Sequence, residues 1–212
     1  MKLSYEDVFA HAFVVSIDEV RYQAFVDNFK KAGIETIPKL WNGMYVSDKY
    51  IDIYRRGDPR MMTNCTVIKQ ICNACGQYFI VVMAKAFDWP FVTIFEDDAV
   101  PVEGIKEKLD LSLSNLPDDT DAIRLGYLNN SRTISRKLSF TSNHISSEFR
   151  YGSHAYIVFK KYYDRYLQMS HDSPYADFER LQYSDESKVY VLKESLFNQQ
   201  NVPGRDVIHS IK

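Results

Sequence analysis

FVTIFEDDAVP, residues 91–101, carries an apolar, β-branched segment straight into three consecutive acids, Glu96, Asp97 and Asp98. Adjacent carboxylates repel one another, so a cluster of this kind needs a cation, hydrogen-bond donors or full exposure to water. If the strand's alternation continues, Glu96 and Asp98 project to one side and Asp97 to the other. Hard divalent cations such as Mg²⁺ and Mn²⁺ prefer oxygen ligands and are commonly held by one or two carboxylates, with phosphates and water completing the shell. That arrangement suits a diphosphate leaving group, whose developing charge the cation neutralises. A phosphate-ester hydrolase would use the same acids, but no separate nucleophile signature accompanies them. Exposed acidic turns are also common, so the surrounding chain must decide.

Working outward, residues 11–17 (HAFVVSI) form a β-branched run with strand character, and DEVRYQAFVDNFKKAG continues with Val20, Phe25 and Phe29 near helical spacing. Gly33 is placed to stop that helix. IETIPKL then reads as a second strand, closed by Pro38 and the turn-prone WNGM. A longer helix is expected over 64–87, ahead of the strand at 91–95. Downstream, EGIKEKLDLSLSNLP reads as an amphipathic helix, DAIRLGYL and RYGSHAYIVF as strands, and KKYYDRYLQMS as a helix. Alternating strands and helices predict an α/β fold with a largely parallel central sheet flanked by helices. In such sheets ligands gather at the carboxyl ends of strands. The acidic triplet sits at such an end.

At 212 residues and 45% hydrophobic, the chain can bury a sizeable core, and its length suits one domain over 1–212. We divide it into a half over 1–126 that carries the acids and a half over 127–212. The formal net charge of −2 provides no general attraction for nucleic acid or an anionic membrane. The N-terminus lacks the pattern of a secretory signal, and no apolar run is long enough to span a bilayer. Cysteine is sparse: Cys65, Cys72 and Cys75 contain one C-x-x-C, without the second pair that a closed zinc site needs. These features point to a reducing, cytoplasmic setting. Residues 127–147 contain six serines with Arg132, Arg136 and Lys137 and no acid. A polar stretch of that length is either an exposed excursion or a functional loop.

The ordered set VVSID-x-x-R (14–21), IFEDDAVP, GSHAYIVFKKYYDRYL (152–167), SPYAD (173–177) and SLFNQQ with HSI near the end resembles glycosyltransferase family 25. That family includes bacterial lipooligosaccharide galactosyltransferases and is similar to the GT-A nucleotide-sugar transferases, whose fold is Rossmann-like. The resemblance implies inverting, metal-dependent transfer of a sugar, galactose in the first instance, from a UDP-sugar donor to a glycan or lipid-linked glycan acceptor in cell-surface polysaccharide biosynthesis. It implies an Asp-x-Asp-like site at Glu96, Asp97 and Asp98 for Mn²⁺ or Mg²⁺ and the nucleotide sugar, with Asp98 the first choice as metal ligand. It also implies that Ser16, Asp18 and Arg21 border the nucleotide. Where the family carries Gly-Cys-x-x-Ser-His, this chain has ACGQYF (74–79), which leaves a non-catalytic nucleotide-sugar- or carbohydrate-binding relative as the alternative.

Inverting transfer needs a base beside the acceptor hydroxyl. Asp177 matches the family's Pro-x-Asp-like position, and it equally suits the N-cap of a following helix. For a further metal ligand the candidates are Glu96, His209 and His154, the last also a typical half-buried strand histidine. Eight of the 15 tyrosines fall between 151 and 190. Most suit a packed core, while Tyr175, beside Asp177, suits a sugar groove. The basic 132–137 segment offers a means of peripheral docking at the inner membrane.

Overall fold

A computed structural model describes residues 2–43, 65–114, 116–127, 142–146, 152, 154–172 and 187–200, with 65–71 and 169–172 described by backbone alone. Asp177, Tyr175, His209 and most of the 127–147 stretch lie outside these residues.

The chain opens with α1 (Tyr5–Ala10), whose start is fixed by a capping box in which Ser4 and Asp7 exchange side-chain-to-backbone hydrogen bonds. Strand β1 (Ala12–Ser16) and helix α2 (Glu19–Lys31) follow. Asp18 caps α2, accepting from the amides of Val20 at 2.8 Å and Arg21 at 3.2 Å. At the other end Gly33 turns to φ +77°, its amide bonding to Lys30 O while that of Ile34 bonds to Phe29 O. That is a Schellman stop, and Ile34 and Phe29 are both buried in the same core cluster. Strand β2 (Lys39–Asn42) begins after Pro38 rather than ending there. Proline cannot donate to a ladder, so it precedes the paired residues, and Trp41-Asn42, expected in a turn, belong to the strand.

Helix α3 (Cys65–Ala86) leads to β3 (Phe91–Glu96), a short β4 (Ala99–Pro101), α4 (Ile105–Leu113) and β5 (Ala122–Gly126). Next come β6 (Ile145–Ser146), β7 (Ala155–Phe159), a 3-10 turn at Lys160–Tyr162, α5 (Tyr163–Asp172), β8 (Val189–Leu192) and β9 (Phe197–Gln199). The sheet runs β2-β1-β3-β7-β5-β8-β6, with β9 joining β4 and β5. Strands β2, β1, β3, β5 and β8 point the same way, while β7 and β6 are reversed. The sheet is therefore mixed, with the largely parallel arrangement interrupted at its centre by β7.

Alternation along β1 and β3 sends Val14, Phe91 and Phe95 to one face and Phe13, Val15, Val92 and Ile94 to the other. The first face is covered by α1, α2 and α4, the second by α3 and α5. On the first face Phe29 of α2 packs edge-on to Phe95 of β3 with centroids 5.4 Å apart, and Phe197 of β9 lies 5.1 Å from Phe95. On the second face Gly76 lets α3 approach β1, since a Cβ there would sit 3.0 Å from Val15.

Gly126 is a second close approach: an added Cβ would lie 2.6 Å from Phe197 O and 2.7 Å from the His154 ring. Gly126→Ala should therefore destabilise the protein by about 1–3 kcal/mol, the usual cost of overpacking. In urea this appears as a lower midpoint with an unchanged slope.

Candidate functional site

Strand β1 connects through α2 to β2 on one side and is flanked by β3 on the other, with α2 and α3 on opposite faces. The order of connection reverses there, and in such sheets the crevice outside the carboxyl ends of the strands at that point is the usual ligand position. Pairing of Val15 with Glu96 brings Ser16 of β1 alongside the acidic triplet.

The three acids are stabilised in three different ways. Asp97 is buried, accepting from Ser16 Oγ at 2.6 Å on one oxygen and from Arg21 Nη2 on the other. It thereby ties together the ends of β1 and β3 and the first turn of α2. Glu96 Oε1 accepts from two side-chain amides of α3, Asn73 Nδ2 at 2.9 Å and Gln77 Nε2 at 3.3 Å. Asp98 accepts from Gln199 Nε2 of β9 at 2.7 Å through Oδ2, while its Oδ1 is buried without a hydrogen-bond partner among the described residues. Burial pushes the Asp98 carboxyl above the ordinary aspartate range; the Gln199 hydrogen bond opposes this, and the neighbouring Asp97 charge reinforces it.

The expected strand alternation does not extend through the triplet. The strand ends at Glu96, and residues 97–98 form a turn. Glu96 consequently faces α3, whereas Asp97 and Asp98 bond to β1, α2 and β9. Of the sequence-derived site residues, the fold brings Ser16, Asp18, Arg21, Asp97 and Asp98 to one side of the ends of β1 and β3, while Glu96 turns to the α3 side. The carboxylate of Asp18 serves as the cap of α2 there, and Arg21 is held by Asp97.

His154 has a structural role. It is buried, with Nε2 2.7 Å from Phe197 O. Burial draws its pKa down to about 4, with the nearby Arg124 charge acting in the same direction. The sequence reading missed Asn73, Gln77 and Gln199. For the first two a signal existed: two amides spaced i, i+4 within an otherwise apolar helical run mark one polar spot on a buried face.

Among the described residues no group of three or more His, Cys, Asp or Glu is arranged to hold a metal ion. What the crevice offers is smaller: the carboxylate of Asp98, whose Oδ1 is buried and without a partner among these residues, with Glu96 near it in sequence but turned to the amides of α3. That fits Mg²⁺ or Mn²⁺ held by one or two carboxylates with a diphosphate supplying further oxygens, rather than a full protein cage.

No family model and no curated protein matches the chain. Among solved structures, the crystal structure of A197 from STIV is similar, with a TM-score of 0.47 and 13% identity over 87% of this chain and 81% of that one. No helix among the described residues is long and apolar enough to cross a membrane.

Two pH dependences follow. In the unfolded chain His154 takes up a proton near its ordinary value of ~6.5, but in the folded protein only near 4. Between those values the unfolded state binds more protons, so stability falls as the pH is lowered, by up to roughly 3 kcal/mol. Urea titrations from pH 7 to 4.5 should show this fall, and His154→Gln should flatten it. Asp98 behaves with the opposite sign. Its raised folded value makes the native state bind more protons, so its contribution is fully present below ~3.9 and is lost as the pH rises through the folded value. Asp98→Asn should therefore melt higher than wild type at pH 7, the difference vanishing below the ordinary aspartate range.

Proposed function

We propose that the chain is a GT-A-type, metal-dependent glycosyltransferase that moves a sugar, galactose in the first instance, with inversion from a UDP-sugar to a glycan acceptor in cell-surface polysaccharide biosynthesis. The observation that carries this reading is the buried, unmatched Oδ1 of Asp98 at the carboxyl ends of β1 and β3. An ionised oxygen in that position is costly unless a ligand completes it. The ordered family-25-like motifs support a cation with a nucleotide diphosphate as that ligand.

In this reading Asp98, with Glu96 or Asp97 beside it, would hold the cation, which would supply charge neutralisation for the departing diphosphate. Asp97 keeps Arg21 and Ser16 in place at the mouth of the crevice. Arg21, one-quarter exposed, presents a guanidinium edge to the nucleotide side. Asp177 takes the proton from the acceptor hydroxyl as that oxygen attacks the anomeric carbon and the bond to the diphosphate breaks. Asp177 and His209 lie outside the described residues, so their parts rest on the sequence resemblance. The enzyme works in the cytoplasm, docking peripherally on the inner membrane where its acceptor is lipid-linked.

One observation favours a second reading. Tyr78 and Phe79 occupy the positions of the family's Ser-His pair, and Phe79 is exposed. A binding relative without turnover keeps the crevice and lacks that pair.

Calorimetry separates the possibilities. The transferase predicts UDP binding that requires Mn²⁺ and weakens at least tenfold in Asp98→Ala, a change of about 1.4 kcal/mol. UDP release from UDP-galactose with a panel of glycan acceptors distinguishes the enzyme from the binding relative. Absence of UDP binding by the wild type, with or without Mn²⁺, overturns the transferase and the nucleotide-sugar-binding relative alike.

A further inference from the structure

Across the second face of the sheet, a chain of buried polar side chains runs from α5 to the acidic triplet. Tyr166 OH lies 3.1 Å from Tyr156 OH, Tyr156 OH donates to Gln77 Oε1 at 2.8 Å, and Gln77 Nε2 donates to Glu96 Oε1 at 3.3 Å. Gln77, Tyr156 and Tyr166 are each at most 2% exposed. The direction of the chain follows from its end. A carboxylate accepts and cannot donate, so the nitrogen of Gln77 must face Glu96 and its oxygen must face Tyr156. Tyr156 therefore spends its proton on Gln77, and Tyr166 donates to Tyr156. Each amide and hydroxyl orientation is set by the charge of Glu96, and reciprocally the chain holds that carboxylate in one place. Asn73, one helical turn before Gln77, donates to the same oxygen at 2.9 Å.

We propose that Gln77 is a positioning residue for Glu96, acting through this one-way chain anchored on Tyr156 and Tyr166. The proposal rests on the reading of the crevice as a cation and diphosphate site, where Glu96 must hold its carboxylate steady at the end of β3. It also gives the crevice a mechanical link to α5, the helix that leads toward residues 173–177. Hydrogen-bonded partners behind a metal-binding carboxylate typically change metal affinity by about 10- to 100-fold when removed.

Gln77→Leu alone leaves Tyr156 OH without the acceptor it has now, so loss of stability would be confounded with loss of positioning. The double variant Gln77→Leu/Tyr156→Phe removes both partners of that hydrogen bond, a change often close to neutral for stability, and Tyr156→Phe alone is the control for the contact that Tyr166 OH then loses. Two measurements on the full chain decide the matter. In ligand-free protein, the side-chain amide signal of Asn73 reports the place of its acceptor, with Glu96→Gln as the reference for a lost carboxylate. The double variant should move that signal toward the reference while melting within a few degrees of wild type. In calorimetry, its Mn²⁺-dependent UDP affinity should fall about tenfold, whereas Tyr166→Phe at the far end should fall less. An unmoved Asn73 signal in a folded double variant overturns the proposal, as does unchanged UDP affinity where the wild type binds. If wild-type protein binds no UDP, the transferase reading falls, and the Asn73 signal still decides whether Gln77 positions Glu96.

Discussion

The site depends on one buried carboxylate, Asp97, at the turn that ends β3. Its two oxygens are matched to Ser16 on β1 and Arg21 on α2, so a single side chain sets the spacing of three elements where the sheet opens. Backbone pairing extends the same junction outward: Gly43 N donates to Ser16 O at 2.8 Å, fixing the exit of β2. Removing one partner of a well-buried ion pair costs about 3–5 kcal/mol because the other charge is stranded. Arg21 is one-quarter exposed and can recover some hydration, which reduces that cost. The pair's larger contribution is geometric. Besides Asp97, the aromatic cluster of Phe25, Phe29, Phe95 and Phe197 on the face beneath joins α2 to β3.

This arrangement explains how three adjacent acids coexist. Asp97 is paired with the guanidinium of Arg21. Glu96 is compensated by neutral amides, which stabilise a negative charge without cancelling it. Asp98 is the residual case, with one amide donor on Oδ2 and nothing on Oδ1 among the described residues. Repulsion from Asp97 and burial act on Asp98 in the same direction, so the strain of the triplet collects on that single side chain.

The legible parts of the fold were those written in local chemistry. Asp18 before α2 and Gly33 after it specify a cap and a stop that depend only on their immediate neighbours. The capping box Ser4-x-x-Asp7 was equally local, and it announces α1 in a stretch read only for the absence of a signal peptide. The reversal of β7 was not legible, because an apolar pattern records burial and says nothing of strand direction. Pro38 was misplaced for a related reason: it marks a boundary without saying on which side the strand lies. At the site, composition and order located the acids but not their partners. Gln199, which meets Asp98, stands 101 residues away, and only the pairing of β9 with β4 brings it there.

The division of labour among the acids also bears on why the sheet is mixed. Reversed β7 lies between β3 and β5, and His154, the residue just before it, supplies the carbonyl that accepts from Glu96 N at 3.0 Å. The same strand places Tyr156 one alternation inward, on the face of α3 where Gln77 waits. A parallel strand in that slot would present its carboxyl end at the crevice rather than its start, and the turn leading into it would fall at the opposite edge. Because β7 runs antiparallel to β3, its start lies beside the end of β3, where the buried His154, packed against Gly126, holds Phe197 of β9 through its ring.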